Sequence, residues 1–307
     1  MQAFRSDLIA GLSASPKSLS PKWFYDAEGS RLFEQITQLD EYYPTRQETT
    51  LLRQTIPLWL DLFGTDAVLV ELGSGASAKT RILLDAISDL AAYVPLDISE
   101  TALEAAARAL RRDYPRLDIR PVSGDFENLP NLPDDLPKGR RIGFFPGSTI
   151  GNLDHQAAVE LLIASRRILG SDSLFILGID LIKDRETLLA AYDDRQGVTS
   201  AFNMNLLHRA NRELGTDFDT DAFRHRAVWN DKEARIEMHL ESLKDQNIQL
   251  DGQKFLFQAG ETLHTENSHK FDRARVQALA EASGWTLREM RISAAPYVAL
   301  ALLQPTE

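Results

Sequence analysis

Residues 67–80 read AVLVELGSGASAKT, a short apolar run that ends in an acid and opens into a glycine turn. Five of the six residues from 67 to 72 are apolar, which predicts a strand buried on both faces. Gly73 and Gly75 leave no side chain between backbone and ligand, and Ala78 takes the third place of a G-x-G-x-x-G/A pattern. Strand, turn and the helix that follows make a nucleotide-cradling turn. That unit requires a doubly wound α/β sheet around it.

Two further acids stand at the ends of the next strands. Residues 93–98, YVPLDI, predict a second strand that puts Asp97 about 20 residues beyond the glycines, where an acid grips ribose hydroxyls. Residues 118–126, DIRPVSGDF, predict a third strand that stops at Asp125 and Phe126, an acid for an adenine amino group and a ring to cover its face. A nicotinamide dinucleotide needs a helix N-terminus facing a pyrophosphate, and an acid immediately before the glycines opposes that anion. Glu71 occupies that place. A carboxylate there suits a cationic cofactor, and Glu71, Asp97 and Asp125 at three strand ends match S-adenosylmethionine, with its sulfonium, its ammonium and no phosphate. A nicotinamide dehydrogenase is the poorer reading.

The texture of the chain changes along its length. Predicted helices over 51–63, 79–92, 100–112 and 155–169 alternate with strands, the signature of βαβ units and a parallel sheet. From 192 to 266 the pattern turns to helices and period-two strands, RHRAVWN, ARIEMHLESLK and NIQLDGQKFLFQAG, which predict an antiparallel substrate lid. The chain end returns to the first texture with a helix over 272–283 and two strands, which complete a seven-stranded sheet. The cofactor domain is therefore expected over 47–190 and 270–307, and a substrate domain over 1–46 and 191–269.

Composition narrows the function classes. A formal net charge of -11 argues against a nucleic-acid surface. No apolar run approaches the roughly 20 residues needed to cross a bilayer, and the chain start lacks the charged and apolar parts of a signal peptide. A soluble cytoplasmic protein is expected. Cysteine is absent, which excludes disulfides and thiolate catalysis, and the six histidines show neither H-x-x-x-H nor H-E-x-x-H spacing, so no metal site is expected.

A second motif, FFPGSTIGNL over 144–153, falls where the fourth strand of a doubly wound sheet ends, next to the reacting centre. Gly147, Ser148 and Gly151 allow a sharp turn, and Asn152 offers both an acceptor and a donor, enough to hold an amine and a carboxylate together. The plainer role for Asn152 is a cap on the next helix.

KWFYDAEGSRLFEQITQLDEYYPTRQE, ELGSGASAKT, GDFE, GSTIGNL, AYDDRQGVTSAFNMNLLHRANRELGTDFD and TENSHKF together resemble the L-histidine Nα-methyltransferase family of ergothioneine biosynthesis, in the same order from about Leu12 to the end. The resemblance implies a Rossmann-like class I methyltransferase core with an inserted α+β substrate-binding domain. It implies transfer of three methyl groups from S-adenosylmethionine to the α-nitrogen of histidine, giving hercynine, with S-adenosylhomocysteine as by-product. Carried over by motif, Asn152 and Tyr192 grip the substrate carboxylate and amine, and Gly147 touches the amine. Tyr25, Tyr42, Met238, Glu266 and Ser268 shape the side-chain pocket, with Glu266 and Ser268 bonding imidazole nitrogens. Gly73, Lys79, Asp97, Asp125 and Phe126 hold the cofactor. Glu266 and Ser268 stand two residues apart on a predicted strand, so they face one side and can read a donor and an acceptor on one imidazole edge.

Methyl transfer is an in-line displacement that needs a neutral amine and alignment rather than a nucleophilic side chain. Tyr25, a water or bulk solvent are the candidate proton acceptors. The expected catalytic residues are Tyr25 and Asn152. The expected partner is the small molecule L-histidine, with no nucleic acid, membrane or obligatory protein partner and a monomeric chain. Two other readings stand beside this one: betaine formation on another, aromatic amino acid, and a non-catalytic S-adenosylmethionine-binding protein.

Overall fold

The structure is a computed structural model that describes residues 2–75, 79–98, 100–125 and 128–306. Phe126, and Ala78 of the glycine pattern, lie outside the described residues. The chain forms two compact units, Met1–Tyr43 with Lys183–His269 and Pro44–Ile182 with Lys270–Glu307. The junctions differ from the expected 46/47 and 190/191. Residues 44–46 belong to the long helix Tyr43–Phe63, and the short helix Arg185–Ala190 packs on the strand Phe223–Asn230.

The second unit is built on one sheet. Its strands run, edge to edge, Trp285–Ile292, Val298–Pro305, Leu174–Asp180, Arg141–Phe145, Ala67–Leu72, Leu90–Asp97 and Asp118–Ile119. Pairing is parallel from Leu174–Asp180 onward and antiparallel on both sides of Val298–Pro305. All residues of Ala67–Leu72 and Leu174–Asp180 are buried, as central strands covered on both faces require. Phe175 and Trp285 meet at 5.6 Å in the core, and the Trp285 indole N–H donates to the Leu162 carbonyl at 2.9 Å.

The third predicted strand breaks in two. Asp118–Ile119 and Val122–Ser123 pair separately with Leu90–Asp97. Pro121 lies between them and has no N–H to give to the ladder. The predicted helix over 79–92 is shorter, Thr80–Ala86, because residues from Leu90 already belong to the next strand. Conversely, the helix expected from residue 51 starts at Tyr43; Leu52, Thr55, Ile56, Trp59 and Phe63 form its buried face at helical spacing.

In the first unit, Thr262–His269 is paired parallel to the two-residue strand Lys17–Ser18 and antiparallel to Arg235–Ser242, which pairs in turn with Phe223–Asn230. Gln246–Leu250 and Gln253–Phe257 form a separate hairpin rather than joining this sheet. Helices Gln2–Ser13, Ala27–Ile36 and Val198–Leu214 complete the unit. Among the described residues, no helix of either unit is long and apolar enough to cross a membrane.

Candidate functional site

In the second unit the glycine turn lies at the end of the Ala67–Leu72 strand. Gly73 and Gly75 adopt positive φ of 67° and 45°, where an L side chain is strained. Among the described residues, a Cβ at Gly75 would meet nothing closer than the Gly73 carbonyl oxygen at 4.0 Å. The turn is tied to the neighbouring strand, with the Gly73 and Ser74 N–H groups donating to the Leu96 carbonyl at 2.9 and 3.1 Å. Asp97, at the end of that strand, accepts from the Gly75 N–H at 3.1 Å. The turn and Asp97, the acid expected to grip ribose, are thus one construction. Asp125 follows at the end of Val122–Ser123, with its carbonyl accepting from the Asn128 N–H at 3.2 Å.

Glu71 lies beneath the turn. It is 2% exposed, and one carboxylate oxygen accepts from the Thr80 hydroxyl at 2.6 Å and from the Tyr93 hydroxyl. Burial pushes this carboxyl up to about 7 against the pull of Thr80, Tyr93 and Lys79. The native pKa lies above the unfolded value of 4.5, so the contribution to stability is fully present below pH 4.5 and lost as pH rises to about 7. The shift corresponds to about 3 kcal/mol. Because glutamine does not titrate, the stability of the wild type relative to Glu71→Gln falls by about that amount between pH 4.5 and 7.5. Urea unfolding of both proteins at the two pH values checks this, and a constant difference contradicts it.

Gly147 and Ser148 turn the chain after the Arg141–Phe145 strand, Ser148 in the left-handed region at φ 56°. The Ser148 hydroxyl accepts from the Asp180 N–H at 2.9 Å, and the Ser148 N–H donates to the Gly178 carbonyl at 3.2 Å, which laces the turn to the adjacent strand. Asn152 ends a short 3-10 turn, Thr149–Asn152. The helix His155–Leu169 is capped by Asp154, which accepts from the Ala157 N–H at 2.8 Å. Capping therefore does not account for Asn152. Glu48, which sequence reasoning passed over, reaches this turn from the Tyr43–Phe63 helix.

In the first unit the predicted pocket residues converge on one sheet face. Across the ladder Met238 stands opposite Glu266, and Ile236 opposite Ser268. A bulge between His264 and Glu266 shifts the register and brings Glu266 to the face of Met238 and Leu263. The Ser268 and Tyr192 hydroxyls are hydrogen-bonded at 2.6 Å, both buried. Rings continue the cluster edge to face, Tyr192 with Tyr42 at 6.4 Å, Tyr42 with Phe33 at 6.2 Å, and Phe33 with Tyr25 at 5.7 Å. Tyr25 is 45% exposed, so solvent reaches it. Phe33 and Phe202 support Tyr25 and were not singled out, since an aromatic in an apolar helix face reads as core.

The opposite sheet face carries Glu237, His239 and His264, whose ligand atoms lie within 4.8 Å of one another. Linear spacing did not reveal this group, because His264 joins it across the ladder. The two imidazoles are stacked at 4.7 Å and 21°, so their in-plane lone pairs lie in separate layers and do not meet at one ion. Burial pushes both imidazoles down, towards the neutral form. Burial alone would raise the Glu237 carboxyl, but hydrogen bonds from Asn230, Arg235 and His239 hold it at about 2. Among the described residues, the buried His239 Nδ1 has no hydrogen-bond partner.

The profile of the family described as histidine-specific methyltransferase, SAM-dependent, matches residues 4–305. The chain belongs to that family. The histidine N-alpha-methyltransferase of Mycolicibacterium smegmatis is 48% identical to it over 288 residues, 92% of this chain and 88% of that protein. Ergothioneine biosynthesis protein 1 of Neurospora crassa is 29% identical over 206 residues, 65% of this chain and 23% of that larger protein. Among solved structures, an S-adenosylmethionine-dependent methyltransferase from Clostridium acetobutylicum matches at a TM-score of 0.54 and 12% identity, covering 90% of this chain and 99% of that one, a likeness of fold alone. The second unit of this family member is accordingly a Rossmann-like class I methyltransferase core, and its cofactor is S-adenosylmethionine. The residues present fit that group. A glycine turn at positive φ, an acid hydrogen-bonded to it and a cation in the same unit are groups of the kind such a cofactor needs.

Proposed function

We propose that this protein trimethylates the α-nitrogen of L-histidine, giving the betaine hercynine as the first step of ergothioneine biosynthesis. The observation that carries the substrate assignment is the single face presenting Met238, Glu266 and Ser268, with Tyr192 on Ser268. Neutral imidazole has one donor and one acceptor. The Glu266 carboxylate accepts from the ring N–H. The Ser268 hydroxyl, hydrogen-bonded to Tyr192, serves the other ring nitrogen. Met238 supplies an apolar, polarisable wall. Tyr25 and Tyr42 line the same pocket. Asn152, Tyr192 and Gly147 are assigned to the amine and carboxylate end of the substrate.

Bound S-adenosylmethionine supplies a methyl group on a cationic sulfur. Gly73, Gly75, Lys79, Asp97, Asp125 and Phe126 hold that cofactor, and Glu71 sets the charge beneath the turn. The substrate enters as an ammonium, so one proton leaves the nitrogen before each of the three transfers. Tyr25, open to solvent, passes these protons to water. After the third transfer the nitrogen has no lone pair, and the reaction stops at the betaine. The balance is one amino acid and three methyl donors giving one betaine, three thioether products and three protons. In this reading the enzyme works in the cytoplasm as a monomer, without an obligatory protein partner.

Incubation with S-adenosylmethionine and an equimolar mixture of the twenty amino acids tests the assignment by mass. The expected result is a gain of three methyl groups on histidine alone. A gain on another aromatic amino acid overturns the roles of Glu266 and Ser268, and no gain favours a binding protein.

A further inference from the structure

Glu48 is a carboxylate buried to 3% exposure on the first turns of the Tyr43–Phe63 helix. Both its oxygens lie 2.9 Å from the Gly147 N–H, which donates to them. The Lys79 ammonium forms an ion pair with the same carboxylate, the two side chains being 17% and 4% exposed. Room for this arrangement comes from Gly178, where a Cβ would lie 1.7 Å from a Glu48 oxygen. One carboxylate therefore touches segments that follow or form three neighbouring strands: Lys79 after Ala67–Leu72, Gly147 after Arg141–Phe145, and Gly178 within Leu174–Asp180.

A buried carboxylate is retained only with a partner cation and hydrogen bonds to its oxygens, and here it has both. Lysine carries its charge on a flexible four-carbon stem with three donors. Held by Glu48 through one donor, the Lys79 ammonium is fixed in place and keeps two donors for a ligand. Among the cofactor-holding residues Lys79 is the cation, and the anionic part of S-adenosylmethionine is its carboxylate. At Gly147 the N–H is already committed, so the backbone group left for a ligand is the carbonyl. An acceptor there suits an amine.

We infer that Glu48 is a positioning residue, which fixes Lys79 for the carboxylate of the cofactor and commits the Gly147 N–H so that this turn meets the substrate amine with its carbonyl. The inference rests on the reading that Lys79 holds the cofactor.

Calorimetric binding of S-adenosylhomocysteine and of 5′-methylthioadenosine, which has the same nucleoside and sulfur but no amino-acid carboxylate, tests it on wild type, Glu48→Gln, Lys79→Met and the double variant. In Glu48→Gln the Kd for S-adenosylhomocysteine rises about tenfold or more, the scale of one charge-assisted hydrogen bond, and that for 5′-methylthioadenosine stays within about twofold. Lys79→Met shows the same selectivity, and adding Glu48→Gln to it has no further effect. Selective weakening in Lys79→Met with none in Glu48→Gln overturns the inference. Equal weakening of both ligands in Glu48→Gln also overturns it, since that marks a merely structural role. If Lys79→Met leaves S-adenosylhomocysteine binding intact, the reading of Lys79 is what fails. Should Glu48→Gln not fold, Glu48→Asp keeps the charge with a shorter reach and is expected to give the same selective loss; its absence counts against Glu48.

Discussion

Glu266→Ala raises the KM for histidine by about 10- to 1,000-fold, the range expected for one lost charge-assisted hydrogen bond plus an imidazole nitrogen left unpaired. The Kd of S-adenosylhomocysteine stays near the wild-type value, because Glu266 belongs to the first unit and the glycine turn to the second. Glu266 is partly buried, and its neighbours on the face, Met238 across the ladder and Ser268 two residues on, are each 2% exposed. Water then replaces the missing carboxylate poorly, and the orphaned ring N–H carries its desolvation penalty into the complex. Steady-state kinetics at saturating cofactor measure it. Unchanged histidine kinetics mean that the imidazole is read elsewhere.

Asp97→Ala weakens S-adenosylhomocysteine by about 100-fold, as the loss of two hydrogen bonds to a charged acceptor predicts. Asp97 has two tasks at once. In the proposed reading it offers its carboxylate to ribose hydroxyls, and it accepts from the Gly75 N–H at 3.1 Å, which holds the turn in its left-handed course. Alanine removes both, whereas Asp97→Asn keeps an acceptor for the turn and loses only charge, so its defect is smaller. Equilibrium binding separates the two variants. An Asp97→Ala protein that binds S-adenosylhomocysteine as the wild type does contradicts the ribose assignment.

The parts of this architecture that were legible in the sequence are those set by local periodicity. The strand and turn from Ala67 to Gly75, the helix His155–Leu169 and the terminal hairpin all follow from runs of burial and from glycine or aspartate at their ends. The same-side placement of Glu266 and Ser268 followed from strand alternation. What stayed hidden depends on contacts distant in sequence. The bulge after His264, the parallel pairing of Lys17–Ser18 with Thr262–His269, and the stacking of His239 on His264 are properties of register between strands. Glu48 was hidden for a related reason. The helix was expected only from residue 51, which left Glu48 ahead of it, and only the space at Gly178, far along the chain, makes it an interior group. The third strand was read straight through Pro121, whose missing N–H accounts for the break the structure shows. The substrate itself was read from motif resemblance, because a carboxylate and a hydroxyl on one face ask for a donor and an acceptor without naming the amino acid.

The most direct test of histidine Nα-trimethylation is the proton NMR spectrum of the product formed from histidine and excess S-adenosylmethionine. The account predicts one nine-proton methyl singlet on the α-nitrogen, with the imidazole unsubstituted and no further methylation on prolonged incubation. A methyl group on either ring nitrogen contradicts it, because Glu266 and Ser268 would then be presenting the ring to the methyl donor instead of holding it away.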